Sequence, residues 1–126
     1  MPKHVPVLPG IQPSTSAYSQ VVEANGFVFV AGQVGDDKET GDVVPGGIEA
    51  QTRAMFANVE RCLAAVGLGL GDVVRSTVYL DDMTDWAAYN DVFREVFPTD
   101  PPTRATVAVA GLVPPFRIEV EVIAAR

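Results

Sequence analysis

An asparagine followed by a glycine, set between two apolar runs, constrains this chain more than any other feature. Asn25-Gly26 is flanked by SQVVEA and FVFVAGQ. A type I′ turn needs φ > 0 at both central residues, which Asn and Gly accept with least strain, so the pair predicts a tight hairpin. Its arms are expected to be the strands Ser19–Ala24 and Phe27–Gln33. The second arm is apolar on both sides, with Phe27, Phe29 and Ala31 alternating with Val28 and Val30. Such a strand belongs inside a sheet rather than at its edge.

The remaining segments add helices and further strands. Residues 1–16 hold Pro2, Pro6, Pro9 and Pro13, a composition for an extended N-terminal arm. Gly35 to Gly47 is a polar, acidic loop. Ile48, Thr52, Met55, Val59, Cys62, Leu63 and Val66 then recur mostly at steps of three and four, one stripe of a helix that the glycines at 67, 69 and 71 end. Val73–Leu80 alternates Val74, Val78 and Leu80 with Arg75, Thr77 and Tyr79, and predicts a strand. Thr84 or Asp85 is expected to cap a second helix with the stripe Trp86, Tyr89, Val92, Phe93, Val96 and Phe97, closed by Pro98. Two more strands, Arg104–Val109 and Arg117–Ala125, complete the order ββαβαββ. The 126 residues make one domain, 1–126, with no internal repeat and no linker. Helices between strands return to one face of a mixed sheet, so the fold class is α+β with two helices on one face.

Composition removes whole classes of function. Nine Lys plus Arg against sixteen Asp plus Glu leave a net charge of −7, and the acids are dispersed. Such a field repels phosphates and disfavours nucleic acid as a partner. One cysteine excludes an internal disulfide, and one histidine excludes a His-rich metal site. No apolar run approaches the ~18–20 residues that span a bilayer. MPKHVPVLPG lacks the apolar centre of a signal peptide, so a soluble chain of a reducing, cytoplasmic compartment is expected. Phosphate-binding loops, nucleotide-binding glycine fingerprints and serine elbows find no match in the sequence.

Alternation also gives the sheet two unlike faces. Ile118, Val120, Val122 and Ala124 oppose Arg117, Glu119 and Glu121, while Ala105, Val107 and Val109 oppose Arg104, Thr106 and Ala108. The apolar sets are expected against the helices. The other face then mixes Arg, Glu, Thr and Tyr with Phe27 and Phe29. It reads equally well as a subunit interface or ligand cleft and as a plain solvated face. Cys62 reads as a buried core thiol, His4 as a solvated side chain, and Asn90 as an exposed amide unless it points to a cleft. Arg104 follows Pro101-Pro102-Thr103 and is expected on the face away from the helices. Its planar fork suits a carboxylate ligand. Spacing alone favours the alternative, an ion pair with Glu119 or Glu121.

Several stretches together resemble the Rid family (reactive intermediate deaminases, also called the YjgF or RidA family). They are SAYSQVVEANGFVFVAGQVG, AQTRAMFANVERCLAAVG, GDVVRSTVYLDDMTDWAAYNDVFREVF, and PPTRATVAVAGL followed by IEVEVIAA. In family order they cover about residues 14–126. The resemblance implies a chorismate-mutase-like fold and a homotrimer whose sheets pack their second faces into a barrel, with clefts between neighbouring subunits. It also implies cofactor-free hydrolysis of enamines and imines, such as 2-aminoacrylate/2-iminopropionate and 2-iminobutyrate, to 2-keto acids and ammonia.

By the same resemblance Arg104 binds the substrate carboxylate and Glu119 is the glutamate of deaminating members. Tyr18 and Asn90 line the pocket, and Gly32 lets backbone approach the ligand. Ala31 stands where archetypal members have serine, and Thr106 where they often have cysteine; these departures leave Arg104 and Glu119 intact and mark either a divergent subgroup acting on another imine or one with weak classical activity. Two other roles occur among relatives: a metabolite-binding or chaperone-like trimer without catalysis, and an endoribonuclease, which the negative charge disfavours.

Overall fold

Asn25 and Gly26 adopt φ values of 51° and 82°, and Ala24 pairs directly with Phe27. The hairpin that this turn closes consists of β1 (Val21–Ala24) and β2 (Phe27–Val34). The computed structural model describes residues 2–126. Its further elements are α1 (Gly47–Ala64), β3 (Val73–Leu80), α2 (Trp86–Val96), β4 (Thr103–Ala108) and β5 (Ile118–Ala125). They build one sheet in the order β1-β2-β5-β3-β4, antiparallel throughout except for β3 with β4. β2 lies between β1 and β5, an interior place that suits a strand with two apolar sides. This is the expected α+β arrangement. No helix is long and apolar enough to cross a membrane among the described residues.

One apolar layer holds the two helices on the sheet. Val28, Val30, Val78, Leu80, Ile118, Val120, Val122 and Ala124 project into it from the strands, and Met55, Phe56, Val59, Leu63, Tyr89 and Phe93 from the helices. Phe56 meets Phe93 and Phe97 edge-on, with centroids 5.8 and 5.4 Å apart, the arrangement that ring quadrupoles favour. α1 buries more than its apolar stripe. Asn58 Nδ2 donates to the Val34 carbonyl at 2.9 Å, and Gln51 Oε1 accepts from the Arg117 N–H at 2.9 Å. These amides satisfy loop backbone that would otherwise be stranded in the interior. Cys62 is buried on this stripe, and burial pushes its thiol pKa up.

The sheet departs from the sequence expectation at three points. First, β4 turns its polar side toward the helices. Its parallel register pairs Ser76 with Arg104 and Val78 with Thr106, so these two share a row with the core residues of β3. Ala105 and Val107 take the outer face, where Val107 is 44% exposed. β4 is an edge strand beside only β3, so its inner face meets the rim of the helical layer and can keep polar groups wet. Second, Arg117 precedes β5 and turns inward. Its Nη2 and Nε donate to the buried Asp85 at 2.6 and 3.1 Å. Asp85 therefore does not cap α2, and Asp82 instead accepts from the Thr84 N–H in the 3-10 turn Met83–Asp85. Third, an irregularity between Val73 and Arg75 puts Val73, rather than Val74, on the buried side together with Ser76, Val78 and Leu80.

The outer face retains Phe27 and Phe29 with Thr77, Tyr79, Glu119 and Glu121, the mixed surface that alternation predicted. The two phenylalanines are 44% and 41% exposed. The arm that precedes β1 lays His4 along its free edge, with reciprocal backbone bonds of 2.8 Å to Glu23. The exposed ladder is thereby partly covered.

Gly35 joins β2 to the loop before α1 and touches backbone, which gives a stability test. A Cβ there would stand 2.6 Å from the Gln51 Cα, and neither backbone can yield. Gly35→Ala should lower the unfolding free energy by about 1–3 kcal/mol. Gly71→Ala meets open space at an ordinary φ and should raise it by about 0.4–1 kcal/mol. Denaturant midpoints at unchanged slope check both signs.

Candidate active site

Arg104 stands at the start of β4 with its guanidinium over the aromatic side of α2. Its Cζ lies 4.6 Å from the Phe93 ring centroid, 5.5 Å from Tyr89 and 5.6 Å from Trp86. Rings that follow at steps of three and four along one helix make this floor, and their π faces attract the cation. Nη1 donates to Asn90 Oδ1 at 2.8 Å, which fixes the plane of the fork. A guanidinium has five N–H donors, so most of its capacity remains free at the surface. Beneath it, the Tyr89 hydroxyl and Thr106 Oγ1 share a hydrogen bond of 2.6 Å. Trp86, Asn90, Phe93, Phe97, Pro102 and Arg104 border a groove of about 480 Å³.

Glu119 belongs to the other face. In β5 it pairs with Tyr79 on one side and Val34 on the other, in the row that the helices leave uncovered. Its carboxylate lies against Gly32, where any Cβ would overlap Oε2. Glycine at 32 therefore makes room for Glu119 itself, in addition to leaving backbone open. Partial burial pushes the Glu119 pKa above the ordinary carboxylate value, and the neighbouring Glu121 adds to the rise. Glu121 accepts a 2.7 Å hydrogen bond from the Tyr79 hydroxyl, which pushes that phenol's pKa up.

Tyr18 and Gly32 border a cavity of about 690 Å³ between the N-terminal arm and β2. Tyr18 is 57% exposed there. Ala31 continues β2 with its N–H on the Gln20 carbonyl at 2.9 Å and offers only a methyl group.

The structure thus gathers the seven sequence-predicted residues into two groups. Asn90, Arg104 and Thr106 sit together on the helix side. Gly32 and Glu119 sit together on the outer side, with Ala31 adjacent in β2 and Tyr18 sharing the cavity beside Gly32. Arg104 and Glu119 are not neighbours within one chain. The ion-pair alternative does not hold either, because Arg104 bonds Asn90 and Glu121 bonds Tyr79. Sequence reasoning missed the cation's floor. Trp86, Tyr89 and Phe93 looked like core alone, and only the register of β4 shows that Arg104 lands on them.

Residues 11–126 match the family described as endoribonuclease L-PSP. The chain is a member of the Rid family. A RutC family protein of Pyrococcus horikoshii is 44% identical over 107 residues, 85% of each chain. The 2-iminobutanoate/2-iminopropanoate deaminase of Capra hircus is 37% identical over 109 residues, which are 86% of this chain and 80% of the goat protein. The crystal structure of Escherichia coli TdcF with bound serine superposes with a TM-score of 0.84 at 33% identity, covering 90% of this chain and 91% of that one.

The environment of Glu119 gives a titration test. Removing the Glu121 charge takes away one of the two causes of its raised pKa and leaves burial in place. Glu121→Gln should therefore move the Glu119 pKa down while keeping it above the ordinary carboxylate range. A carboxyl-carbon NMR titration reads this directly, and an unchanged or higher value would contradict the assigned cause. The stability linkage has a definite sign. A raised folded pKa favours the protonated form, so this contribution to stability is present at low pH and fades as pH rises through the folded pKa.

Proposed function

We propose that this Rid-family chain hydrolyses the imines of 2-keto acids, in clefts that form between its copies. The observation that carries the reading is the setting of Arg104: a planar fork, seated on three rings and oriented by Asn90, with free donors facing a groove. A carboxylate would satisfy that fork bidentately. The deaminase name of the goat relative and the serine bound to TdcF, itself a 2-amino carboxylate, support a ligand of this class.

Hydrolysis of such an imine is redox-neutral and consumes only water. With the carboxylate held by Arg104, the imine carbon is fixed relative to an incoming water. The nitrogen takes a proton, water adds to the iminium carbon, and the carbinolamine loses ammonia to leave the 2-keto acid. A carboxyl group with a raised pKa is suited to accept the water's proton and return one to the departing nitrogen. Glu119 is that group in this reading. It acts on a substrate clamped by the Arg104 of a neighbouring copy, because its own Arg104 is on the other side of the sheet. Three copies with outer faces together would bury Phe27, Phe29 and Val107 and bring one chain's Glu119 and Tyr18 toward the next chain's Arg104 and Asn90. Cleavage of RNA draws no support from a chain of net charge −7.

Coupled assays with freshly generated 2-iminopropanoate and 2-iminobutanoate test the chemistry. Arg104→Lys keeps the charge but loses the fork, and should cut kcat/KM by about 10²-fold or more with little change in folding, near the loss of one charge-assisted bidentate contact. Glu119→Gln should depress kcat while substrate still binds. Wild-type protein inert on every imine would leave a binding trimer as the better reading.

Mixing the two inactive variants tests the shared cleft. In a closed trimer each mixed ring contains one cleft with both native residues, so an equimolar mixture should recover about a quarter of wild-type activity. Recovery near zero after verified subunit exchange would place both residues in one chain's site. A monomer by light scattering at micromolar concentration would also defeat the shared cleft.

A further inference from the structure

We propose that the groove beside Arg104 receives the substrate side chain and selects imino acids whose side chain is large and apolar, aromatic above all. The proposal rests on the imine-hydrolase reading and adds the substrate class. Size is the first argument. The groove measures about 480 Å³ on one chain, room for a side chain larger than methyl or ethyl wherever a neighbouring copy leaves it open.

Chemistry is the second. Trp86, Phe93, Phe97, Pro101 and Pro102 supply the apolar part of the lining and Asn90, Arg94 and Arg104 the polar part, both of its charged groups among the described residues being positive. A chain of net charge −7 has here assembled a notch whose charges are positive and stand beside rings and prolines. Its complement is an anion with an apolar body.

Geometry is the third. Trp86 belongs to the stripe expected in the core, yet its indole is 39% exposed. It stands edge-on to Tyr89, with centroids 6.4 Å apart, and 5.6 Å from the Arg104 Cζ. In a 2-imino acid only the imine carbon separates the carboxylate from the side chain. A carboxylate on Arg104 therefore sends the side chain along a wall next to the clamp, and the indole is the ring available for it to stack on. Phe93 and Phe97 are buried and interlocked with Phe56, so the floor is already in place before the ligand arrives.

Imines made in situ from alanine, leucine and phenylalanine by an amino-acid oxidase provide the comparison. The expected order of kcat/KM is phenylalanine-derived, then leucine-derived, then alanine-derived, with ~10-fold or more between the first and last, since even one well-placed methylene in an apolar pocket is worth about that much. Trp86→Ala should shrink the phenylalanine-to-alanine ratio about as much. Trp86→Phe should restore most of it. Equal kcat/KM across the series, or a ratio that Trp86→Ala leaves intact, overturns the proposal while the hydrolase reading stands. Failure to hydrolyse any imine overturns the hydrolase reading instead. Calorimetric binding of phenylpyruvate against pyruvate, to wild type and Trp86→Ala, then tests the groove alone. Tighter binding of phenylpyruvate that depends on Trp86 supports it, and equal affinities reject it.

Discussion

Helices cover only one face of the five-stranded sheet, and the character of each strand follows from that asymmetry. The covered face carries the valines, leucine, isoleucine and alanine of β2, β3 and β5, buried against α1 and α2. The uncovered face cannot be made wholly polar, because Phe27, Phe29 and Val107 are on it along with Tyr79, Glu119 and Glu121. A surface that combines half-exposed aromatic rings with the partly buried carboxylate of Glu119 is poorly matched to water. Its rings favour contact with another apolar surface, and partial burial pushes the Glu119 pKa up.

Arg104 profits from the same asymmetry at the sheet's rim. At the middle of the helix-covered face a guanidinium would have to be desolvated on all sides, which is costly without a full set of partners. On β4 the helical layer thins out. The cation can rest one face on Phe93, Tyr89 and Trp86, give one donor to Asn90 and keep its other edge in water. Arginine is suited to this because its weakly hydrated plane stacks on rings, whereas the compact lysine ammonium holds its water more strongly. The fork is thus fixed in orientation before any ligand binds, and less side-chain entropy is lost when one does.

Most of the fold was legible in the sequence because its signals are local. The φ > 0 demand of Asn25-Gly26, the alternation in Ile118–Ala125 and the helical stripe around Val59 each arise within a few residues. What was not legible depends on register. Alternation divides Arg104 and Thr106 from Ala105 and Val107 but does not say which pair meets the helices. That choice is made by the pairing of Ser76 with Arg104, a contact between distant segments. Asp85 misled for the same reason. Its position reads as a helix cap, yet Arg117 captures its carboxylate from 32 residues away. Arg104 stood out by pattern and the roles given to Glu119, Tyr18 and Gly32 came from family resemblance, while the division of the candidate residues between two faces was visible only once the strands were aligned.

Thr106 and Ala31 bear on how such a site would discriminate. Tyr89 is completely buried and burial holds its phenol neutral, so its hydroxyl needs a partner inside the protein, and Thr106 supplies it at 2.6 Å. That pairing takes up one of the Thr106 hydroxyl's hydrogen-bonding sites. Ala31 has none to offer. Two positions that resemblance assigns to the pocket therefore contribute little free hydrogen-bonding capacity, and on the proposed reading polar recognition would fall on Arg104, Asn90 and Glu119. A site rich in fixed donors rejects a ligand lacking the matching group by a large factor, because its own buried groups are left unpaired. A site whose polar groups are a carboxylate clamp and a few solvent-reachable partners has little such penalty to impose. It grades ligands by the apolar surface they bury and the room they need. On the proposed reading, the chain's departures from the archetypal pattern replace sharp recognition of one small imine with graded selection among larger ones.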